Sequence, residues 1–300
     1  MLLPCTTPVT APWQAEVHLP DGARLTAYAD GPQHASVTVV LVHGLSVTSA
    51  LWRTHVPLLV GQGFRVVRYD QRAHGRSTRG TTTLSLDQLA DDLAHLIDHV
   101  APHSPLVLAG HSMGAMTLMR LVTRRTDLAP RIRGLLLLSA PYSGISTRTG
   151  TGPGPCLLAF GRDLLTAVCT HAPGLVDAAR RLLPNTSRWA LRQPAPASAD
   201  PLACRQGLHA MATADIAELW LDLTHQRHAH GPLRQLGDRV HLMAGGLDTH
   251  IPAGQTRRLA AMLPSAQLEI VPDAAHSLPV RHARLVTHRI TRLAAANAAG

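Results

Sequence analysis

The stretch that decides the fold is Pro105-Leu106-Val107-Leu108-Ala109-Gly110-His111-Ser112-Met113-Gly114, followed by a helix-like run over residues 115–125. An apolar run, a serine between two glycines and a helical run are the parts of a nucleophile elbow, the sharp turn that presents a serine hydroxyl above a sheet. The glycines leave no Cβ where strand and helix backbones would collide. The sequence therefore predicts Ser112 as a nucleophile, with the Met113 N–H at the helix N-terminus available to a developing oxyanion.

Outward from this turn, short apolar runs alternate with segments of helical periodicity. Asp21-Gly22, between two short apolar alternations, predicts an antiparallel hairpin near the start of the chain. The other predicted strands are residues 37–42, 64–69, 106–109, 135–138, 240–244 and 268–271, and the predicted helices between and after them are residues 50–60, 86–100, 115–125, 255–263 and 285–295. Continuous apolar strands separated by amphipathic helices are typical of a parallel sheet buried on both faces. The expected class is α/β, with a mostly parallel central sheet flanked by helices.

The alternation stops after residue 141 and returns only near residue 240. The intervening sequence contains a Gly/Pro run at residues 149–155, a Pro/Ala run at residues 194–197, and helix-like stretches around them. We therefore expect residues 1–141 and 236–300 to form the core, and residues 142–235 to form a mainly helical cap inserted after the sixth strand.

Composition excludes several classes of protein. The 300 residues are 45% hydrophobic and carry a formal charge of +9, but the basic residues, all arginine, are dispersed and aromatic residues are 3% of the chain. A nucleic-acid binder concentrates charge and interleaves stacking rings, so we expect no nucleic-acid partner. The four cysteines show no Cys-x-x-Cys pairing, which argues against a disulfide scaffold or a structural zinc site. No apolar stretch predicts a membrane span or a leader, so a cytoplasmic location is expected.

A serine nucleophile needs a general base and an acid that orients the base. Open parallel sheets build their sites beyond the carboxyl ends of the strands. Asp248 follows the predicted strand 240–244, and His276 follows the last strand. Together with Ser112 they give the chain order serine, acid, histidine.

With these motifs in order, the chain resembles the α/β-hydrolase superfamily. The motifs that carry the resemblance are His43-Gly44-Leu45, the segment Asp70-Gln71-Arg72-Ala73-His74-Gly75-Arg76-Ser77, Gly110 to Gly114, Gly246-Leu247-Asp248 and Ala275-His276. The resemblance implies that the Leu45 N–H joins the Met113 N–H in an oxyanion hole, that His43 is structural, and that Asp248 orients His276. It also implies a structural loop at residues 70–77, reshaped where Ala73 replaces the usual glycine.

Other residues of the sequence offer alternatives to this set. Some family members place the acid after the strand that ends here near residue 139, but Pro141-Tyr142-Ser143 offers no carboxylate. Asp273, three residues before His276, is an alternative orienting acid. The histidines of segment 225–230 are interpreted as a solvated helix end rather than a metal site. No phosphate-binding loop or dinucleotide fingerprint occurs, so the expected site needs no cofactor and no metal.

The residue at the elbow separates reaction classes. Family members that displace halide or open epoxides commonly attack with aspartate there, whereas serine favours acyl chemistry. The sequence thus predicts a serine esterase that cleaves a carboxylic ester, lactone or thioester of a small apolar or medium-sized acyl substrate through an acyl-enzyme. An acyltransferase or cyclase, a cofactor-free lyase, and a non-catalytic small-molecule receptor stay open as alternatives.

Overall fold

The computed structural model describes residues 13–145, 168–169, 171–182 and 211–296. Its strands are β1 (Trp13–His18), β2 (Arg24–Asp30), β3 (Thr38–Val42), β4 (Arg65–Tyr69), β5 (Leu106–His111), β6 (Ile132–Leu138), β7 (Val240–Gly245) and β8 (Gln267–Val271). Its α-helices are α1 (His55–Val60), α2 (Leu86–Val100), α3 (Met113–Arg124), α4 (Pro173–Leu182), α5 (Thr213–His225), α6 (Gly231–Gln235), α7 (Ala253–Ala261), α8 (Leu278–Arg281) and α9 (Ala283–Ala296).

The eight strands of the described residues form one sheet in the order β1-β2-β4-β3-β5-β6-β7-β8. The β1–β2 and β2–β4 pairs are antiparallel, and the pairs from β4 through β8 are parallel. The fold class predicted from the sequence is confirmed. Because strands β3 to β8 are parallel, the loops that follow them meet at one edge of the sheet, called here the carboxyl edge.

Burial explains why these segments become the centre of the sheet. Strands β3, β5 and β7 are buried along their whole length, as expected for apolar runs covered by helices on both faces. On one face, residues of α2 and α3 belong to the same apolar cluster as β5 and β6. On the other face, a second cluster joins α1 and α9 to the sheet. Each leucine fully buried in this way stabilises the fold by about 2 kcal/mol.

Helix α2 shows how the sequence sets an element. Ser85 caps its N-terminus, where the hydroxyl accepts a hydrogen bond from the Gln88 N–H at 3.2 Å. Residues Leu89, Leu93 and Leu96 recur at helical spacing and are buried against the core. The element therefore spans the residues predicted for it, 86–100.

The predicted single helix over residues 50–60 is wrong. The structure has a short 3₁₀ turn at Ser49–Trp52 and then the separate helix α1. Pro57 explains the break, because it has no N–H to donate to the carbonyl four residues earlier.

The predicted cap is described only in part. Helices α4, α5 and α6 lie within residues 142–235, whereas residues 146–167, 170 and 183–210 lie outside the described residues, so the domain boundaries stay a prediction. Helix α5 is attached directly to the core: the N–H of Leu84 donates to Glu218 at 2.8 Å, and the N–H of Leu86 donates to Asp222 at 2.7 Å. This attachment fixes α5 over the carboxyl edge.

Candidate active site

Ser112 lies in a strained turn between β5 and α3. Its backbone has φ 55° and ψ −118°, a combination that a residue with a Cβ adopts only when its surroundings impose it. The Ser112 N–H donates to the Leu138 carbonyl on β6 at 2.9 Å, and the Ser112 carbonyl accepts from the Ala115 N–H at 2.9 Å. The turn therefore holds Ser112 at the carboxyl edge, where the residue is 8% exposed.

Two glycines permit the close approach of β5, α3 and β3. A Cβ on Gly110 would lie 2.5 Å from the Gly114 carbonyl oxygen, and a Cβ on Gly114 would overlap the carbonyl oxygens of Val42 and His43. Helix α3 consequently begins against the end of β3. The first amides of a helix have no intrahelical acceptor, so the Met113 N–H is available at this point.

The loop after β3 is tied to the 70–77 loop through His43. The His43 Nδ1–H donates to the Gly44 carbonyl at 2.7 Å, and its Nε2 accepts from the Gln71 N–H at 2.9 Å. The Gln71 side chain donates to the His43 carbonyl and accepts from the Thr117 hydroxyl on α3. His43 thus has the structural position that the family resemblance implies.

His74 fixes the backbone next to Leu45. The Ser46 N–H donates to His74 Nε2 at 3.2 Å, and the His74 Nδ1–H donates to the Arg72 carbonyl at 2.8 Å. Burial lowers the pKa of His74 to about 3, so the ring is neutral and Nε2 remains an acceptor. Ala73 has φ 61°, the left-handed region where glycine would be unstrained. The loop therefore accommodates the alanine at a cost of about 1 kcal/mol.

Asp248 and His276 meet beyond the ends of β7 and β8. The distance from Asp248 Oδ2 to His276 Nδ1 is 2.8 Å, and Oδ1 accepts from the N–H groups of His250 and Ile251, both at 2.9 Å. Because an ionised carboxylate only accepts, His276 Nδ1 carries the proton and Nε2 is left as the basic nitrogen. The Asp248 side chain is fully buried, and that of His276 is 23% exposed.

Opposing effects act on the pKa of Asp248. Burial raises it, while the His276 hydrogen bond and charge, the Ile251 N–H and the Ser139 hydroxyl lower it, and the resulting pKa lies below the ordinary value. The carboxylate is therefore ionised at neutral pH. An ionised, buried acid stabilises the imidazolium form of the histidine that it contacts.

The loops that carry Asp248 and His276 are bonded to each other. The Gly246 N–H donates to the Val271 carbonyl at 2.8 Å, and the Leu247 N–H donates to the Ala274 carbonyl at 2.9 Å. A Cβ on Gly245 would overlap the Ala274 carbonyl oxygen. Close backbone contact makes the two loops a single unit, which preserves the Asp248–His276 distance.

Two further imidazole rings lie next to His276, and neither belongs to the site residues predicted from the sequence. The ring of His111 lies 4.7 Å from that of His276 between centroids, and the ring of His250 stacks on the His276 ring at 4.9 Å between centroids and 25° between planes. The His111 Nε2–H also donates to the His276 carbonyl at 2.7 Å. The one signal in the sequence was adjacency, since His111 precedes Ser112 and His250 follows Asp248 by two residues.

In the described part of the chain, one group of three residues places metal-ligand atoms within 4.8 Å of one another: Asp248, His250 and His276. An imidazole binds a metal ion in its own ring plane. The rings of His250 and His276 are stacked 25° from parallel, so their lone pairs run side by side instead of converging. The His276 nitrogen that faces Asp248 also carries a proton, so it has no lone pair to offer a metal ion. The arrangement therefore suits proton transfer better than metal binding.

An apolar cluster connects the oxyanion-hole candidates with α5. A Cβ on Gly44 would lie 3.4 Å from the Ser112 Cβ, which places the segment leading into Leu45 next to the serine. Leu45, Ile216 and Trp220 are half-buried and pack against the cluster that contains Met113. We call Leu45, Ile216 and Trp220 the apolar wall.

The alternative site residues lie elsewhere. Asp273 is exposed, whereas the Asp248 carboxylate holds the His276 Nδ1–H. Of the 225–230 segment, His225 is exposed as predicted. The prediction of a solvated end is wrong for His228 and His230, which are half-buried, and His230 stacks on Tyr142 at 5.2 Å.

Fold and site together define a class of protein. A mostly parallel sheet that carries a strained serine at a strand-to-helix turn, with acid and histidine loops at the same edge, is the architecture of the α/β-hydrolases. The chain belongs to the α/β-hydrolase family described as serine aminopeptidase, S33, whose profile matches residues 33–280. The family resemblance predicted from the sequence motifs is confirmed.

Curated relatives match part of the chain. Residues of this chain are 33% identical over 136 residues to the "Probable oxidoreductase EphD" of Mycobacterium tuberculosis, a match that covers 45% of this chain and 22% of the relative. They are 32% identical over 126 residues to epoxide hydrolase B of the same organism, covering 41% of this chain and 34% of the relative. The matches therefore span about a fifth to a third of those relatives' length.

Solved structures match over nearly the whole chain. A thermophilic esterase from Thermogutta terrifontis has a TM-score of 0.67 at 22% identity, covering 93% of this chain and 97% of that one. An enol-lactonase from Burkholderia xenovorans has a TM-score of 0.68 at 22% identity, covering 91% and 97%. At this identity the likeness is one of fold. In the described residues, no helix has the length and apolar character needed to cross a bilayer.

Proposed function

We propose that the protein is a serine hydrolase that cleaves a carboxylic ester or a lactone through an acyl-enzyme. The observation that carries the proposal is the 2.8 Å contact between Asp248 and His276 Nδ1, held at the same edge of the sheet as the strained Ser112. The contact leaves His276 Nε2 as a base, and the ionised acid compensates the charge that the base acquires.

In the proposed reaction, Ser112 Oγ attacks the substrate carbonyl carbon while His276 Nε2 takes the hydroxyl proton. The N–H groups of Leu45 and Met113 donate to the resulting oxyanion, which contributes a few kcal/mol to the transition state. The tetrahedral intermediate collapses, the alkoxide leaves with the proton from His276, and the acyl group remains on Ser112. Water, deprotonated by His276, then releases the carboxylic acid and restores the hydroxyl.

The chemistry of the elbow favours acyl substrates over epoxides, although one relative is named an epoxide hydrolase. Attack by a serine oxygen on an epoxide carbon would give an ether, which water cannot cleave by addition to a carbonyl. Attack on an ester or lactone gives an acyl-serine, whose carbonyl water can attack. Ser112 at this position therefore supports ester or lactone cleavage.

The apolar wall supports an apolar acyl group as the substrate class. Leu45 and the α5 residues Ile216 and Trp220 pack against the apolar cluster that contains Met113, and the proposal is that the acyl chain of a bound ester extends along them from its carbonyl. Glu218, an acidic residue of the same helix, is bonded to the loop before α2, where it accepts from Arg79 and from the Leu84 N–H. We therefore propose that a small or medium-sized acyl chain contacts the apolar wall and no charged side chain of α5.

The test compares Ser112→Ala with Ser36→Ala, an exposed serine before β3, at the opposite edge of the sheet. We expect Ser112→Ala to lower kcat on short aryl esters by at least about 10⁴-fold and to abolish labelling by a fluorophosphonate. Ser36→Ala should match the native protein in both assays. Unchanged turnover by the Ser112→Ala protein would overturn the proposal.

Product analysis separates hydrolysis from the other reactions of this fold. Mass spectrometry with and without an added alcohol or amine should find the free carboxylic acid as the main product in both cases. Predominant transfer of the acyl group to the added nucleophile would replace hydrolysis with acyl transfer. Tight ligand binding with neither acyl-enzyme nor turnover would identify a receptor.

A further inference from the structure

His111 lies where three loops of the candidate site come together. It precedes Ser112, its Nε2–H donates to the backbone carbonyl of His276 at 2.7 Å, and its ring lies 4.7 Å from the His276 ring at 51°. A Cβ on Gly44, in the loop after β3, would lie 3.4 Å from His111 Nδ1. The elbow, the histidine loop and the oxyanion loop therefore all touch this one ring.

The state of the ring follows from its surroundings. A carbonyl only accepts, so the proton of neutral His111 is on Nε2. Burial, with the nearby His276 charge, lowers the pKa of His111 to about 3. The His111 ring therefore stays neutral when His276 takes up a proton, so no second positive charge lies beside the His276 imidazolium. Within the part of the chain that the structure describes, the buried Nδ1 of His111 has no hydrogen-bond partner, so the contact to His276 depends on Nε2 alone.

We propose that His111 is a positioning residue for His276, a role that rests on the proposed serine hydrolase function. The hydrogen bond from Nε2 joins residues 165 positions apart in the chain. Asp248 holds one ring nitrogen of His276 and His111 holds its backbone carbonyl, so the remaining ring nitrogen has a fixed direction. Without the second contact, the His276 backbone can shift and the base loses its alignment with the Ser112 hydroxyl.

Two amide substitutions test this contact. The terminal nitrogen of glutamine can occupy the place of His111 Nε2, whereas that of asparagine reaches only the place of Nδ1. We expect His111→Gln to retain kcat within about 3-fold and His111→Asn to lower kcat roughly 10- to 100-fold with KM little changed, since a misplaced catalytic group costs rate more than binding. Thermal unfolding midpoints measured for both variants report any general loss of packing.

A second measurement does not depend on turnover. In the Ser112→Ala background, the downfield proton NMR resonance of His276 Nδ1–H reports the Asp248–His276 contact. We expect the resonance to persist with His111→Gln and to broaden or vanish with His111→Asn. If Ser112→Ala itself keeps full activity, the proposed function fails, and this resonance still decides the role of His111.

The outcomes are distinct. The proposal is supported if His111→Asn loses kcat and the resonance while His111→Gln retains both, because this pattern assigns the positioning of His276 to the His111 Nε2–H. Equal kcat and equal resonance in the two variants would overturn it. So would equal losses that follow the unfolding midpoints, because those assign His111 to packing alone.

Discussion

At the scale of single residues, backbone strain is concentrated at the carboxyl edge. In the described part of the chain, the non-glycine residues with positive φ are Ser46, Ala73, Ser112 and Ser139. They follow β3, β4, β5 and β6 in turn, each in the first loop residues after its strand. Such conformations cost about 1–3 kcal/mol each and persist only where hydrogen bonds and packing over-determine them. The carboxyl edge, which carries the candidate site, is thus also where backbone strain lowers the free energy of unfolding.

Two glycines at the same helical position give a residue-scale prediction. Gly114 is the second residue of α3 and Gly254 the second residue of α7. A Cβ at Gly114 would meet the backbone carbonyls of Val42 and His43, whereas a Cβ at Gly254 meets nothing within 4 Å. We expect Gly114→Ala to lower the free energy of unfolding by about 1–3 kcal/mol and to reduce kcat, because α3 must move away from β3.

The matched substitution Gly254→Ala should raise the free energy of unfolding by up to about 1 kcal/mol, since alanine is the better helix former. Urea unfolding of both variants measures the difference. Equal stability of the two variants would contradict the close approach of α3 and β3.

At the scale of elements, the sequence predicted the structure where the signal is local. Continuous apolar runs predicted the strands, and helical spacing predicted α2 residue by residue. It failed at residues 50–60, where apolar spacing continues through Pro57 but the backbone hydrogen bonds cannot. It also missed the His111–His276 contact, because no periodicity relates residues on different loops. The order of the motifs predicts Asp248 and His276 as partners, but the distance between them depends on how two separate loops pack together.

Helix α5 provides the element-scale prediction. Ile216 faces the cluster that contains Met113, while Leu221, on the same helix, is 38% exposed. Ile216→Ala removes carbon from the apolar wall, which is the proposed acyl site. We expect the ratio of kcat/KM for longer over shorter acyl esters to rise roughly 10-fold, the lower end of the range over which an apolar pocket discriminates a single methylene.

The control Leu221→Ala changes the same helix without changing the wall, so it should leave the ratio unchanged. A series of p-nitrophenyl esters of increasing acyl length measures both variants. Identical shifts in the two variants would mean that α5 does not line the acyl site.

At the scale of the whole molecule, buried histidines connect the fold to pH. Burial lowers the pKa of His55 and His228 to about 4 and that of His74 and His111 to about 3. All these values lie below the ordinary 6.5 of histidine. Between pH about 6.5 and about 3, the unfolded chain therefore binds more protons than the folded one. The free energy of unfolding must fall as the pH falls through that window.

His55 allows this linkage to be tested away from the candidate site. Its ring is fully buried and packs edge-on against Trp52 at 5.0 Å, a contact that phenylalanine can keep. Each buried ring contributes up to about 1.4 kcal/mol per pH unit to the decline in stability. We expect His55→Phe to flatten the decline in the free energy of unfolding by up to that amount between pH about 6.5 and about 4, measured by urea titration at a series of pH values. His34→Phe, at an exposed position, should keep the native slope. A slope for His55→Phe as steep as that of the native protein would show that charging this ring does not contribute to acid unfolding.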